Sequence, residues 1–265
     1  VDLSGCAFSG FSVRKSANIE FVGGKVTGVD NGNDKNVNMG RVHADCNQIK
    51  VREMTFFGAA DAEDFKTWDR AKWRNRRNSA LLIQSPDSAA VDCIAVGVHS
   101  GFFADGKGSH IEGCKVRGFS GDSLRATASE TRVSGCYSEC SVGAFAPEFH
   151  VDFLQMFNGS TDPELNAVRI IGNTYKEWDD LYELHPLRHS AQGVVAFDGP
   201  TRDLVISENH ITTGHYHGIT ISGGFDLEIT SNECYATPQQ TDPRWPHIMV
   251  GPSKSGVASS GVLTK

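Results

Sequence analysis

The feature that most constrains the fold is a short frame that recurs along the chain at irregular intervals. Each copy has alternating apolar residues, then a Gly or Asn, then a turn and a second short apolar segment. The copies begin at Ile19, Ile49, Val91, Ile111, Val133, Val168, Val205 and Leu227. Segments of about five residues broken by Gly, Asn and Ser, with almost no helical periodicity, are typical of stacked parallel strands. The frame therefore predicts an all-β fold, a single-stranded right-handed parallel β-helix of about seven to nine coils.

The length and composition are compatible with one solenoid domain over residues 1–265. The chain is 39% apolar with 28 Gly, so it is not disordered in composition. The sequence opens directly in a repeat, and solenoids need polar caps, so we expect a trimmed chain that lacks its N-terminal cap. A net charge of −7 argues against a nucleic-acid partner. No apolar run reaches the ~20 residues of a membrane span, and no signal peptide is present.

The cysteines are expected to be packing residues. The chain has seven, an odd number, without a CxxC pair. Cys93, Cys114 and Cys136 each follow the apolar start of a repeat by two or three residues. We therefore expect them to stack inside consecutive coils as small apolar groups.

The uneven spacing of the copies indicates loops inserted between strands. A bare coil needs about 20–22 residues, and the surplus falls at turns, where solenoids carry function. Three insertions stand out, at residues 60–78, 144–150 and 175–192. Each ends just before the second strand of its coil. We expect all three to stand beside one sheet and to make that sheet the floor of a groove that contains Asp152.

The central constellation on this floor is a pair of aspartates. In the strand register Asp122 and Asp152 are neighbours in successive coils, and Arg125 lies beside Gln155. Strand alternation predicts that an Asp and the residue three later point to opposite faces unless a turn intervenes. One interpretation is structural, with these groups satisfying turns as polar ladders do. Against it, two carboxylates about 4.8 Å apart repel unless a proton or a cation compensates.

Titratable and aromatic residues gather around this pair. The candidate catalytic residues are Asp122, Arg125, His150, Asp152 and Tyr182. The candidate substrate-binding residues are Trp68, Trp73, Arg74, Arg76, Arg77, Asp105, Gln155, Trp178, His185, Arg188, His189, His215 and His217. Glu148 stands close to His150 in the second insertion. Arg forks pair with carboxylates and Trp faces stack on sugars, which favours an acidic polysaccharide as partner, although a solvated helical lid is an equal alternative for the first insertion.

These segments carry a family resemblance over roughly residues 17–240. The frame around Asn209 and Gly218, with Gly121-Asp122-Ser123-Leu124-Arg125 and His150-Val151-Asp152-Phe153-Leu154-Gln155, resembles the pectate-lyase-like superfamily of right-handed β-helix proteins. That superfamily includes pectate and alginate lyases, mannuronan C5-epimerases, polygalacturonase-type hydrolases and phage tailspike depolymerases. The resemblance implies a carbohydrate-binding groove on the sheet of the two aspartates. The sequence lacks the Asp-Pro-His order of the epimerases and the Arg-x-Pro-x-x-Arg element of pectate lyases.

Three functions remain open. The first is a polysaccharide lyase or C5-epimerase, in which His150 or a loop Tyr removes the proton α to a uronate carboxylate and Arg125 stabilises the enolate. The second is a glycoside hydrolase with Asp122 and Asp152 as its acid and base. The third is a non-catalytic glycan-binding or tailspike domain. If the protein is an enzyme of either kind, we expect His150→Ala and Arg125→Ala each to lower turnover, with thermal stability nearly unchanged.

The remaining expectations concern cofactors and setting. No cofactor is required, and the alternative is a Ca²⁺ ion held by the carboxylates of Asp122 and Asp152. We expect a monomer or a homotrimer that is extracellular, secreted or virion-associated, without a membrane partner.

Overall fold

The protein is a parallel β-helix. The computed structural model describes residues 1–32, 35–145, 149–158, 164–238, 245–254, 256 and 258–264. Within these residues, 28 strands form three sheets, and every pairing between strands is parallel. Successive strands lie in sheet 1, sheet 2 and sheet 3 in turn, so each coil contributes one strand to each sheet, except that one coil contributes two short strands to sheet 3. The solenoid predicted from the repeating frame is confirmed.

The three sheets have the following strands. Sheet 1 consists of β1 (Ala7–Phe8), β4 (Lys25–Thr27), β7 (Thr55–Phe57), β10 (Ile94–Val98), β13 (Lys115–Phe119), β16 (Tyr137–Ser141), β20 (Thr174–Lys176), β23 (His210–Thr213) and β26 (Glu233–Ala236). Sheet 2 consists of β2 (Phe11–Val13), β5 (Val37–Val42), β8 (Asn78–Ile83), β11 (Phe102–Ala104), β14 (Leu124–Ala126), β17 (Asp152–Phe157), β21 (Gln192–Asp198), β24 (His217–Ser222) and β27 (His247–Gly251). Sheet 3 consists of β3 (Ala17–Val22), β6 (Asn47–Arg52), β9 (Ala89–Val91), β12 (His110–Glu112), β15 (Arg132–Ser134), β18 (Leu165–Asn166), β19 (Arg169–Ile171), β22 (Thr201–Ser207), β25 (Gly224–Thr230) and β28 (Ser260–Thr264).

The core is built from columns of apolar side chains, one from each coil. Because side chains alternate along a strand, the apolar positions of the repeating frame all turn inward. One fully buried column of sheet 2 comprises Leu81, Phe102, Leu124, Leu154, Val194 and Ile219. Cys93, Cys114 and Cys136 are buried thiols that stack on one another after sheet 3, as predicted.

An asparagine ladder closes the same turn in the later coils. Asn209 donates from Nδ2 to the carbonyls of Ile170 and Ser207, and its Oδ1 accepts from the backbone and side chain of Asn173. Asn232 continues the ladder in the next coil. The amides thereby satisfy backbone groups that the turn would otherwise leave buried and unpaired.

All three insertions leave the solenoid at the turn between sheet 1 and sheet 2. The first contains a 3₁₀ helix, Ala62–Thr67, and a short helix α1, Arg70–Asn75, whose first turn is capped by Asp69. The prediction that the insertions emerge on one side is therefore confirmed.

The insertions do not form walls along sheet 2, however, and the predicted groove needs correction. The first and third insertions fold back over the outer face of sheet 1. They bury an apolar cluster there, which comprises Ala59, Ala62, Phe65, Trp68, Trp73, Val96, Cys140, Val142, Ala144, Phe145 and Trp178. The cause is hydrophobic, because large apolar side chains gain most when they are removed from water.

Two glycines of sheet 1 leave space for the insertion that packs on its outer face. Gly97 and Gly118 lie at equivalent points of neighbouring strands in sheet 1, both with positive φ. A Cβ at Gly118 would lie 2.6 Å from the ring of Phe65, and one at Gly97 would lie 3.2 Å from Trp68. Glycine therefore permits both the backbone conformation and the close approach of the insertion.

None of the helices in the described ranges is long and apolar enough to cross a membrane.

Candidate functional site

The centre of the candidate site is a buried acidic pair at the edge of sheet 2. Asp122 and Asp152 occupy equivalent positions in successive coils, just before or at the start of their strands, and are 4% and 1% exposed. Nε of Arg125 donates to Oδ2 of Asp122 at 2.5 Å. Arg125 also lies beside Gln155, as its register predicted. The pair and its cation are thus held together by the stacking of two strands.

Asp122 and Arg125 point to the same face, which strand alternation did not predict. The reason is local, because strand β14 begins only at Leu124 and Asp122 belongs to the preceding turn. A turn residue is not bound to the period of two that governs a strand. The guanidinium then lies over two aromatic rings, 4.4 Å from the centroid of Phe103 and 5.5 Å from that of Phe157.

The environment favours a proton on one of the two carboxyl groups. Burial and the neighbouring Asp122 carboxylate hold the pKa of Asp152 well above its usual range. Burial also raises the pKa of Asp122, but Arg125 counters this effect by stabilising the ionised form. Oδ1 of Asp152 has no hydrogen-bond partner among the described residues. These directions favour the proton on Asp152 and the negative charge on Asp122.

An exposed imidazole borders the pair. His150 lies at the end of the second insertion, and its Nδ1 is 3.4 Å from Nε2 of Gln192, the residue that pairs with Asp152 in the next coil. The ring lies close enough to Asp122 on one side and to His189 and His217 on the other to lower the pKa of each of these groups. His150 is thus central to the ionisable groups at this edge.

The two further histidines near His150 are held neutral. Burial, with a smaller effect of His150, lowers the pKa of His217. Burial lowers the pKa of His189 as well. Nδ1 of His217 hydrogen-bonds Oγ1 of Thr220 at 2.9 Å, and the ring stacks with His215 and lies against Phe197. His217 aligns with Gln192 and Asp152 in the register of sheet 2.

The second insertion is clamped by arginine and aromatic contacts. The Arg77 guanidinium lies 5.0 Å from the ring centroid of Phe145 and 4.9 Å from that of Phe149, and its Nε donates to Nε2 of His99 at 3.1 Å. Burial lowers the pKa of His99 to about 3, so this imidazole is a neutral acceptor. Arg74 also lies over Phe145, at 5.6 Å. Glu148, in the same insertion, lies outside the described residues.

A pocket of about 330 Å³ opens on sheet 2 on the other side of Arg125. We call it the aromatic pocket. It is lined by Asn36, Asn38, Leu82, Phe103, Asp105, Arg125, Thr127 and Phe157. An apolar floor with a few convergent polar groups is the usual composition of a small-molecule site.

Several predicted binding residues have structural roles instead. Trp68, Trp73 and Trp178 are at most 2% exposed within the apolar cluster, so their faces cannot stack on a sugar. The sequence pattern did not reveal this, because an indole suits a glycan platform and a packed interior equally well.

Two predicted arginines are likewise engaged inside the protein. Arg76, whose side chain is 13% exposed, ion-pairs with Asp30 and Asp61. Arg188, at 10%, ion-pairs with the buried Glu177. Their positive charges are therefore compensated internally, and neither is a binding group for an anionic chain.

The third insertion contributes less to the site than predicted. Tyr182 is 71% exposed on the segment whose neighbours, Asp179 and Glu183, ion-pair with Lys66 over sheet 1. Arg125 belongs to sheet 2, so the structure does not place Tyr182 with the acidic pair. Nε2 of His185 lies 2.6 Å from the carbonyl oxygen of Lys66 and joins the insertions to each other.

The residues predicted to hold Ca²⁺ do not fit the ion. Ca²⁺ takes six to eight oxygen ligands, whereas the pair offers two carboxylates and the Arg125 guanidinium already occupies the cation position at Asp122. Elsewhere, ligand atoms of Glu139, Cys140 and Asp179 lie within 4.8 Å of one another. Lys66 already ion-pairs with that aspartate.

Sequence reasoning missed four residues of this edge, namely His99, Gln192, Phe103 and Phe157. The signal for His99 was present, because His99-Ser100-Gly101 precedes strand β11 as Gly121-Asp122-Ser123 precedes β14.

The expectation that Arg125→Ala leaves stability nearly unchanged also needs revision. The side chain of its ion-pair partner Asp122 is only 5% exposed.

No family model, curated protein or solved structure matches this chain.

Proposed function

We propose that this protein is a carbohydrate-active enzyme that binds an acidic polysaccharide across sheet 2 and cleaves it by β-elimination. The observation that carries the proposal is the placement of Arg125, held on the open face of the sheet by a buried carboxylate, with the exposed His150 within electrostatic reach of that carboxylate. A cation and a base at one place are what proton abstraction next to a carboxylate requires.

Arg125 is suited to the substrate carboxylate. Asp122 accepts the Nε–H, and none of the hydrogen bonds among the described residues uses the terminal nitrogens of the guanidinium. The fork of these nitrogens matches a carboxylate group. The rings of Phe103 and Phe157 and the ion pair limit the motion of the side chain, so the charge is preorganised for the enolate that develops.

His150 is the base in this proposal. Its imidazole accepts the proton from the carbon α to the uronate carboxylate. The electron pair of that C–H bond forms a C=C bond to the neighbouring carbon, and the bond from that carbon to the glycosidic oxygen breaks. The leaving oxygen takes a proton from water, and the imidazolium of His150 returns the abstracted proton to the hydroxide that remains. The products are one unsaturated and one ordinary chain end.

C5-epimerisation would share the first step but return a proton to the opposite face of the same carbon. No glycosidic bond then breaks, so the absence of new chain ends distinguishes it from elimination.

Glycoside hydrolysis is the second candidate function, and the acidic pair favours it. Asp152 with a raised pKa has the property of a general acid, and Asp122 that of its ionised partner. Against it, both side chains lie beneath the surface, at 4% exposure or less, whereas a general acid has to touch the glycosidic oxygen.

The test is incubation with polygalacturonate, polymannuronate, hyaluronan and chondroitin, followed by ultraviolet absorbance and reducing-end assays. Elimination produces the absorbance of an unsaturated uronate together with reducing ends. We expect His150→Ala to lower the rate about 100-fold, the usual effect of losing a general base. The matched control is His210→Ala, which removes an exposed imidazole on sheet 1 that pairs with Glu233.

New reducing ends without the absorbance of an unsaturated uronate would show that the reaction is hydrolysis and not elimination. Binding without new chain ends or epimerised residues would indicate a glycan-binding domain.

A further inference from the structure

The aromatic pocket contains a carboxylate that has no cation of its own. Asp105 accepts from Oγ1 of Thr127 at 2.8 Å and from Nε2 of Gln84 at 3.3 Å. None of the ion pairs among the described residues includes Asp105, and its side chain is only half-buried. The nearby Arg125 is already ion-paired with Asp122. Asp105 is therefore a pocket carboxylate that accepts only from neutral donors among the described residues.

A chain of hydrogen bonds keeps this carboxylate in place. Arg41 donates from two nitrogens to Oε1 of Gln84, at 2.9 and 2.6 Å. The amide orientation of Gln84 is fixed by these bonds, and its Nε2 faces Asp105. The carboxylate is thus positioned by neutral donors and retains acceptor capacity for a ligand.

The rest of the lining is amide and apolar. Asn38 lines the pocket beside Asn36, whose Oδ1 accepts from Oγ of Ser79 at 2.7 Å. Leu82, Phe103 and Phe157 supply the apolar surface. A ligand that suits this lining combines an N–H or O–H donor for the carboxylate, an acceptor for an amide and a small apolar group.

We propose that the aromatic pocket binds a neutral N-acetylated amino sugar, and that the substrate is a heteropolysaccharide in which such a unit neighbours a uronate. The acetamido N–H and the ring hydroxyls are donors for Asp105, the acetamido oxygen is an acceptor for Asn38, and the methyl group suits the apolar floor. Arg125 also lines the pocket, but in the proposed function it binds the neighbouring uronate. A second uronate over Asp105 would place its carboxylate against that of Asp105, which is unfavourable at short range. This inference rests on the proposed function, since Arg125 separates the pocket from the acidic pair.

The test is calorimetric binding of tetrasaccharides to the full chain carrying His150→Ala, which suppresses turnover. Hyaluronan and chondroitin tetrasaccharides alternate uronate with N-acetylhexosamine, and those of polygalacturonate and polymannuronate contain only uronate. We expect the alternating chains to bind at least about tenfold more tightly, an effect of the order of one lost polar interaction.

Two substitutions locate the preference in the pocket. In the same background, Asp105→Asn should bind the all-uronate chains about tenfold more tightly than the parent does, because the repulsion is removed. Asn38→Ala should weaken only the alternating chains. The matched control is Asp203→Asn, which removes an exposed carboxylate from sheet 3.

The outcomes separate the two proposals. Preference for the alternating chains that disappears in Asp105→Asn supports the pocket, even if the parent protein cleaves nothing and the lyase proposal fails. Cleavage of acidic polysaccharide without this preference, or a preference unchanged in Asp105→Asn, overturns the pocket assignment alone. No binding of any tetrasaccharide overturns both.

Discussion

Arg125→Ala should destabilise the fold as well as impair function. The substitution leaves the carboxylate of Asp122, whose side chain is 5% exposed, without its cation. Removing one partner of a buried ion pair costs about 3–5 kcal/mol, and the one-third exposure of Arg125 places this case near 3 kcal/mol. The lost contacts with two aromatic rings add about 1 kcal/mol. We therefore expect the free energy of unfolding to fall by about 4 kcal/mol at neutral pH.

The effect should depend on pH in a definite direction. Burial raises the pKa of Asp122 in the folded state, and the loss of Arg125 removes the two largest effects that oppose this rise. The penalty for the ionised carboxylate is absent below the unfolded-state pKa of about 4 and grows as the pH rises above it. The loss in unfolding free energy should consequently be smaller near pH ~5 than near pH ~7.5.

Urea unfolding followed by circular dichroism at both pH values measures this loss. In Arg125→Ala/Asp122→Asn, the neutral amide needs no cation, so the double variant should regain about 3 kcal/mol relative to Arg125→Ala. The matched control is Arg202→Ala on sheet 3, where an arginine also lies over a ring, that of Phe225, but pairs with Glu164 and Asp226, whose side chains are 32% and 67% exposed. In this control, loss of the ion pair should lower the free energy of unfolding by less than about 1 kcal/mol. A loss in Arg125→Ala no larger than in this control, or no recovery in the double variant, would refute the reasoning.

Two further substitutions test the acidic pair and the asparagine ladder. Because the fold raises the pKa of Asp152, the folded state retains this proton at a pH where the unfolded chain loses it, and stability falls as the pH rises above about 4. Asp152→Asn should flatten the decline in unfolding free energy between pH ~5 and ~8, and an unchanged slope would contradict the raised pKa. Asn209→Ala removes five hydrogen bonds and leaves buried backbone groups unpaired, so urea unfolding should show a loss of about 3–5 kcal/mol. Replacing the exposed Asn47 by Ala is the control, and a loss similar to that control would mean that water substitutes for the ladder.

Sequence reasoning failed for the tryptophans and arginines of the insertions, which it predicted to bind a glycan at the surface. Trp68, Trp73 and Arg76 were predicted to bind a glycan. In the structure the two tryptophans pack in the apolar cluster on sheet 1, and Arg76 forms an ion pair with Asp61. Whether an indole faces water depends on which distant residues contact it, here Gly97 and Val96 of another coil. That information is not local in the chain, so no periodicity expresses it.

The sequence by itself determined the solenoid, the columns of buried residues and the register that sets Arg125 beside Gln155. These features follow from the alternation of side chains along a strand and from a repeating turn, which are local properties present in every coil. The tertiary structure alone decided that Asp122 and Arg125 share a face, that Gln192 borders His150 and that Asp105 shares a pocket with Arg125 without forming an ion pair. Those relations arise where turns and insertions from different coils meet, and there the position of a side chain is set by packing and charge across the fold rather than by its neighbours in sequence.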